Sequence, residues 1–431
     1  MSMFCNQCEQ TAKGTGCTIM GVCGKDEDIN SLQSTLIYGL KGIAAYDFHA
    51  RELGYADSEV AAFYSKALFS TVTNVDFDLN RSLDLVLECG KVNLKMMEVL
   101  DTAHVARFGA PGPVEVATGT KEGPGILVTG HDLLDLYELL KQTEGTGINI
   151  YTHSEMLPAH AYPELRKFRH LVGNYGGAWQ KQKQEFADFP GAILANTNCV
   201  LIPRKGTYEN RLFTCGIAAV AGVTHIEGRD FAPLIQKALS LPMLSERADK
   251  ALTTGFHHSA VLGLAGQIVD AVKSGKIQHF FLIGGCDGAR PGRNYFTELA
   301  ERVPQDCVIL TLACGKYRFN YMDFGSINEI PRLLDLGQCN NAYSAIRVVV
   351  ALAQAFDCSV NELPLSIVLS WFEQKAVAIL ITLLHLGIKG IRIGPTLPSF
   401  ISPNVFQVLQ DSFGLKAITT PEEDMKAILG E

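Results

Sequence analysis

Apolar residues return at helical spacing along the first hundred positions. Leu32, Leu36, Ile37, Leu40, Ile43 and Ala44 form one stripe, and Val60, Ala61, Tyr64, Ala67 and Leu68 a second. Leu83, Leu85, Val86, Val92, Met96 and Leu100 form a third. Three stripes between Ile29 and Ala106 with no strong strand signal predict an antiparallel helical bundle. Gly109-Ala-Pro-Gly-Pro113 and Gly119-Thr-Lys-Glu-Gly-Pro-Gly125 then mark a boundary. Beyond it the period changes. Short apolar runs at Ile126–Thr129, Ile148–Tyr151, Ala192–Ala195 and Cys199–Ile202 read as strands, with a helix at Asp132–Lys141. A further round follows: a helix over Ala260–Val272, strands at His279–Ile283 and Val308–Thr311, a helix over Ala342–Phe356, and strands at Leu365–Val368 and Gly390–Ile393. Strand–helix alternation of this kind builds parallel sheets. The expected architecture is multidomain, α and α/β. An N-terminal helical bundle (1–112) precedes two Rossmann-like α/β domains with mainly parallel sheets (113–250 and 251–431).

A length of 431 residues fits this division, since it exceeds one comfortable core. Hydrophobic residues at 47% and charged residues at 19% describe a well-buried globular chain. The net charge of −8 argues against a general nucleic-acid binder, which needs a basic face. Cys5 to Cys23 occupies the place of a signal peptide's apolar region. The run Ala376–Gly387 is short of the about 20 residues that span a bilayer. A soluble, cytoplasmic protein is expected, with neither nucleic acid nor membrane as partner.

In a reducing compartment, twelve cysteines point to metal or redox chemistry rather than to disulfides. Cys5, Cys8, Cys17 and Cys23 read C-x2-C-x8-C-x5-C. Four thiolates complete either a tetrahedral zinc site or a cubane iron–sulfur cluster. Only Cys5 and Cys8 form the close pair that a zinc knuckle uses twice. Gly14, Gly16, Gly21 and Gly24 let backbone amides approach sulfur, which suits a cluster. Spacing favours [4Fe–4S] and leaves zinc, or no metal, open.

Other cysteines share settings rather than spacing. Cys286 (LIGGCDG) and Cys314 (ILTLACGKYRF) follow strands, Cys339 (LGQCNNA) precedes a helix, and Cys199 (ANTNCVLIP) enters a strand. Ligands of open α/β sheets gather at the carboxyl ends of strands. His131 in VTGHD and Glu155 in YTHSE also follow strands, and Glu373 and Lys375 in WFEQK open an apolar helix. Each has a structural reading as well, as a helix-terminal cap or a first-turn acid. Cys89, Cys215, Cys307 and Cys358 read as packing residues, and His153, His160, His257 and His258 as belonging to no site.

The stretches CNQCEQTAKGTGC, VTGHD, SEMLPAH, TNCVL, GGCDG, TLACGKYRF, GQCN and WFEQKA run end to end in one order. Together they make the chain resemble the hybrid cluster proteins, also called prismane proteins or hydroxylamine reductases, a family related in fold to nickel carbon monoxide dehydrogenases. The resemblance implies that Cys5, Cys8, Cys17 and Cys23 hold a [4Fe–4S] cluster. It implies that His131, Glu155, Cys199, Cys286, Cys314, Cys339 and Glu373 hold a hybrid iron–sulfur–oxygen cluster of the [4Fe–2O–2S] type. Cys286 would carry a persulfide, and Lys375 would lie at the cluster's edge. Longer members carry a second helical bundle after the first. Here only Ile29–Ala106 separates Cys23 from His131, the pattern of a short form.

The implied activity is reduction of small nitrogen oxides, with hydroxylamine going to ammonia and water. Glu155, Glu373, Lys375 and His131 are the candidate catalytic and proton-supplying groups. Nitric oxide reduction, a peroxidase role, S-nitrosylation and a nitric-oxide-responsive redox sensor are the competing readings; carbon monoxide dehydrogenase activity is disfavoured. No GxGxxG or Walker A motif appears, so electrons are expected from a donor protein, a reductase or a ferredoxin-like carrier.

Overall fold

Acidic caps start the N-terminal helices. Asp26 accepts from the Ile29 amide at 2.8 Å ahead of α1 (Glu27–Glu52), and Asp57 does the same ahead of α2 (Ser58–Ser70). The long α3 (Leu79–Phe108) follows. The computed structural model describes residues 3–290 and 292–430, and its packing divides the chain into two compact units, 1–103 with 357–431, and 104–356. This partition differs from three consecutive domains in two respects: the C-terminal stretch folds with the N-terminal helices, and residues 104–356 form one unit where two α/β domains were expected.

The first unit is built on close helix contacts. The helix Gln374–His385 lies against α1 and α3 where those helices carry glycine. A Cβ at Gly42 would stand 2.5 Å from the Ala378 Cβ, and one at Gly90 would stand 2.3 Å from the Ile381 carbonyl oxygen. Removing the Cβ is what lets the backbones approach. Asn93 donates to Thr382 Oγ1 at 2.9 Å, and Thr382 Oγ1 to the Gly90 carbonyl at 3.0 Å, which ties the helices across the seam. Leu365–Ser370, Arg392–Gly394 and Lys416–Ala417 pair in parallel in this unit.

In the second unit the apolar runs pair as expected, in parallel. β1 (Val114–Ala117) stands apart. The sheet proper holds β2 (Gly125–Thr129), β3 (Asn149–His153), β4 (Leu171–Asn174), β5 (Ala192–Ala195), β6 (Leu212–Cys215) and β7 (Thr224–Ile226) in the order β4-β3-β2-β5-β6-β7. Register pairs Thr129 with both His153 and Ala195, so these three strands end at one edge. β8 (Ala251–Thr254) pairs antiparallel with β1. β9 (His279–Gly285) and β10 (Cys307–Thr311) run parallel, with the short strand Leu333–Asp335 beside β10.

Two expected elements differ. Cys199–Ile202 is a loop, because Cys199 has a φ of 69° and its neighbours bond to a side chain instead of a strand. The helix expected over Ala260–Val272 is two helices, His258–Gly263 and Ala265–Lys273, interrupted at Leu264. Among the described residues no helix is long and apolar enough to cross a membrane.

Candidate metal centres

Ahead of α1, Cys5 and Cys17 face each other across a single antiparallel bridge. The Cys5 amide donates to the Cys17 carbonyl at 3.0 Å and the Cys17 amide to the Cys5 carbonyl at 2.8 Å. Both are buried beside Met3, whereas Cys8 and Cys23 are half-buried. The Ala12 amide points at Cys17 Sγ from 3.5 Å. The amides of Ala12 and Val22, assisted by the Lys25 charge, hold the Cys17 thiol below its ordinary range against the opposing effect of burial. Lys25 is itself closed off, its ammonium donating to Gln33 Oε1 at 3.0 Å. A Cβ on Gly21 would crowd Cys23 Sγ at 3.1 Å, and that sulfur lies 3.7 Å from the Thr73 carbonyl. Four thiols with amide-to-sulfur bonds on one of them fit an iron–sulfur cluster.

The second centre lies in the unit 104–356, beyond the carboxyl ends of strands. His131 follows β2, Glu155 follows β3, and Cys199 follows β5 by a longer loop. Cys286 comes directly after β9, Cys314 just past β10, and Cys339 past the strand Leu333–Asp335. One ligand atom each from His131, Glu155 and Cys339 lies within 4.8 Å of the others, all three buried. His131 Nε2 is 4.0 Å from Glu155 Oε2, and that oxygen accepts the Cys339 amide at 2.7 Å. His131 Nδ1 is 2.7 Å from Thr197 Oγ1, which fixes the ring and leaves Nε2 facing the carboxylate. Gly130, with a φ of 128°, makes room for this turn, since a Cβ there would stand 2.0 Å from Asn196 Oδ1.

Cys314 joins the same group. Its sulfur is 3.1 Å from Ser154 Oγ. Burial pushes the Cys314 thiol well up, and the nearby Glu155 and Cys286 charges push the same way. The Trp179 backbone amide faces Cys314, while the Trp179 indole donates to the Cys286 carbonyl at 3.2 Å. Cys199 packs against the cluster that Cys314 forms with Ala178 and Trp179. Gln182 fixes the Cys199 loop at both ends, donating to the Cys199 carbonyl at 2.7 Å and accepting from the Leu201 amide at 3.0 Å.

Backbone strain marks the site independently. Seven non-glycine residues have positive φ among those described; Ser154, Cys199, Asp287 and Ala313 are four of them. One is a candidate ligand and the other three adjoin one. Each such conformation costs on the order of 1–3 kcal/mol and persists where surrounding contacts over-determine it. No sequence signal flags Ser154, Ala313, Trp179, Gln182 or Thr197.

Glu373 and Lys375 belong to the other compact unit. Glu373 is half-buried at the N-cap of the helix Gln374–His385, and Lys375 is buried in its first turn. Of the cysteines expected to pack, Cys89, Cys215 and Cys307 are buried, and burial raises the thiols of Cys89 and Cys307 to about 12. Cys358 is half-buried.

One carboxyl, one imidazole and the Cys339 thiol thus converge in buried surroundings, with Cys314 and Cys286 close by and the half-buried Cys199 packed beside Cys314. As thiolates and carboxylate these donors could not be buried together unless positive charge were present. An iron–sulfur group would supply such charge, and the thiol donors fit it.

Comparison with known proteins agrees in family and fold. A family profile described as Prismane/CO dehydrogenase matches residues 3–86 and 79–426. A hydroxylamine reductase of Moorella thermoacetica is 72% identical over 428 residues, covering 99% of this chain and 100% of that protein. One of Methanothermobacter thermautotrophicus is 55% identical over 428 residues with the same coverage. The alignment to a hydroxylamine reductase of Geobacter metallireducens, 46% identical, extends over 550 positions and covers both chains fully. Among solved structures, carbon monoxide dehydrogenase IV of Carboxydothermus hydrogenoformans superposes with a TM-score of 0.79. It is 15% identical and covers 100% of this chain and 92% of that one.

Proposed function

The chain belongs to the prismane/CO dehydrogenase family as an iron–sulfur oxidoreductase of its short form, and from that premise we propose that it reduces hydroxylamine to ammonia and water. The reaction consumes two electrons and two protons and breaks one N–O bond. The observation that carries the reading is the convergence of His131, Glu155 and Cys339 within 4.8 Å, with Cys314 and Cys286 beside them.

Cys5, Cys8, Cys17 and Cys23 would hold a [4Fe–4S] cluster. His131, Glu155, Cys199, Cys286, Cys314, Cys339 and Glu373 would hold a hybrid [4Fe–2O–2S]-type cluster, with Cys286 as its persulfide. When bound, that cluster supplies Lewis-acid iron and stored electrons for a small N–O substrate. The chain's own part is positioning and proton supply. Glu155 keeps one oxygen on the Cys339 amide, so its carboxylate stays anchored while the other oxygen can serve metal or proton. Thr197 selects the His131 nitrogen that faces the pocket. Glu373 and Lys375 are the remaining proton-bearing groups assigned to the reaction. A donor protein of the reductase or ferredoxin type delivers electrons through the N-terminal quartet.

The test is anaerobic iron and sulfide analysis with electron paramagnetic resonance, followed by hydroxylamine-dependent oxidation of a reduced viologen. About eight irons per chain and catalytic dye oxidation are expected. About one zinc per chain, or dye oxidation limited to the electrons stored in the protein, refutes it.

A further inference from the structure

Directly after Cys314 come Gly315, Lys316, Tyr317 and Arg318, three polar or charged side chains in a row at the carboxyl end of a buried strand. Each reaches a different ligand-bearing loop. Lys316 is closed off from solvent, and its ammonium donates to both Asp335 oxygens at 2.9 Å and to the Gly337 carbonyl at 3.0 Å. Gly337 stands two residues before Cys339, and its amide in turn donates to Asp335 Oδ1 at 3.0 Å. Tyr317 donates its hydroxyl proton to the Ser154 carbonyl at 2.8 Å, one residue before Glu155. Arg318 donates Nε to Asp287 Oδ2 and Nη2 to the Gly288 carbonyl at 2.9 Å, just after Cys286. Backbone pairing supplies one parallel tie, the Ala313 amide donating to the Gly337 carbonyl at 3.0 Å, whereas these ties to the Ser154 and Asp287 loops come from side chains. The residues tied on, Ser154 and Asp287, are two of the positive-φ positions, and Ala313 on the hub's own loop is a third.

We infer that Lys316, Tyr317 and Arg318 act as a positioning hub that fixes the loops of Cys339, Glu155 and Cys286 against Cys314. None of the three touches substrate in this role. They set how far apart the donor atoms stand before any metal arrives. The 3-10 turn Cys314–Arg318 makes this possible, since it turns successive side chains in different directions over three residues. Gly315 lets the turn sit close to β9, where a Cβ would stand 2.9 Å from the Gly285 carbonyl. That the held group is an iron–sulfur–oxygen cluster rests on the function proposed above; the loop geometry does not.

Three variants of the full chain test the hub. Lys316→Met is combined with Asp335→Asn so that no buried charge is left alone; Tyr317→Phe and Arg318→Met stand singly. Hydrogen exchange of the iron-free chain is read over residues 153–156, 286–289 and 336–340. Each variant should speed exchange at least ten-fold in the loop its side chain holds, with circular dichroism unchanged. After anaerobic loading, iron per chain should fall about two-fold in the Lys316/Asp335 and Arg318 variants. The resonance signal of the N-terminal cluster should persist, and Arg318→Lys should restore part of the lost iron. Exchange unchanged in all three loops overturns the hub, as does loss of both clusters together with the dichroism signal. A wild-type chain that carries no second cluster refutes the proposed function, and the exchange data still decide on the hub.

Discussion

His160 closes the 3-10 helix Ser154–Ala161 that begins beside Glu155, and its Nε2 lies 3.0 Å from Thr152 Oγ1. Burial lowers its pKa to about 4, the Gly173 carbonyl opposing only in part. The unfolded chain therefore binds a proton there below about pH 6.5, where the folded chain does not. This contribution to stability is fully present above about pH 6.5 and is lost as pH falls towards 4. At pH 5 it amounts to a loss of about 2 kcal/mol. Denaturant titrations at pH 7 and pH 5 should show the His160→Gln variant losing less stability on acidification than the wild type, by about that amount. Equal losses would place the acid sensitivity elsewhere. At the metal site, Glu155→Gln keeps an acceptor for the Cys339 amide and removes the charge. Viologen oxidation by hydroxylamine should fall at least about ten-fold, an order that removal of a positioned acid–base group commonly costs, while the N-terminal cluster signal stays. His131, Glu155, Cys286 and Cys314 were legible as candidates because they stood just past apolar runs, whereas Cys339 stood before a helix and Cys199 at the head of an apolar run. The supporting residues were not legible. Ser154 and Ala313 adopt positive φ because of what surrounds them, and Trp179 and Gln182 act through a ring nitrogen and an amide that read as ordinary in sequence.

Elements were legible where an apolar run was long enough to bury itself. β2, β5, β9 and β10 lie close to where the runs placed them, and β3 only one to two residues later. β4 and β7 were missed because Leu171-Val-Gly-Asn174 and Thr224-His-Ile226 carry too few apolar residues to stand out. The false strand at Cys199–Ile202 shows the reverse. Its apolar composition suits a strand, but the Gln182 amide takes the Cys199 and Leu201 backbone bonds that a neighbouring strand would otherwise take. Helix seams carry their own test. Gly90→Ala forces a methyl towards the Ile381 carbonyl and should destabilise the chain by about 1–3 kcal/mol in denaturant titration. Gly266, in the helix Ala265–Lys273, meets nothing within 4 Å, so Gly266→Ala should stabilise by about 0.4–1 kcal/mol. If both substitutions prove neutral, close packing at Gly90 is not what the glycine provides.

At the scale of the whole chain, linear reading reaches its limit in the C-terminal seventy-five residues. Their apolar helix and short strands read as the end of an α/β domain, yet they pack with the N-terminal helices, whose glycines accept the helix Gln374–His385. No periodicity reveals that distant partner, because each helix looks complete by itself. The same division sorts the candidate ligands. Cys5, Cys8, Cys17, Cys23 and Glu373 lie in one unit, and His131, Glu155, Cys199, Cys286, Cys314 and Cys339 lie in the other. Because the six ligands of the second unit fold apart in sequence from the N-terminal cysteines, the second pocket should assemble without the quartet. Replacing Cys5, Cys8, Cys17 and Cys23 together by serine should therefore remove about four of about eight irons and leave the second resonance signal in place. Steady turnover with a donor protein should fall at least ten-fold if the quartet is the entry point proposed for electrons. A single turnover by protein already reduced with dithionite should still release ammonia from hydroxylamine. Loss of that single turnover along with the second signal would mean that the quartet is needed to build the reactive centre, not only to feed it.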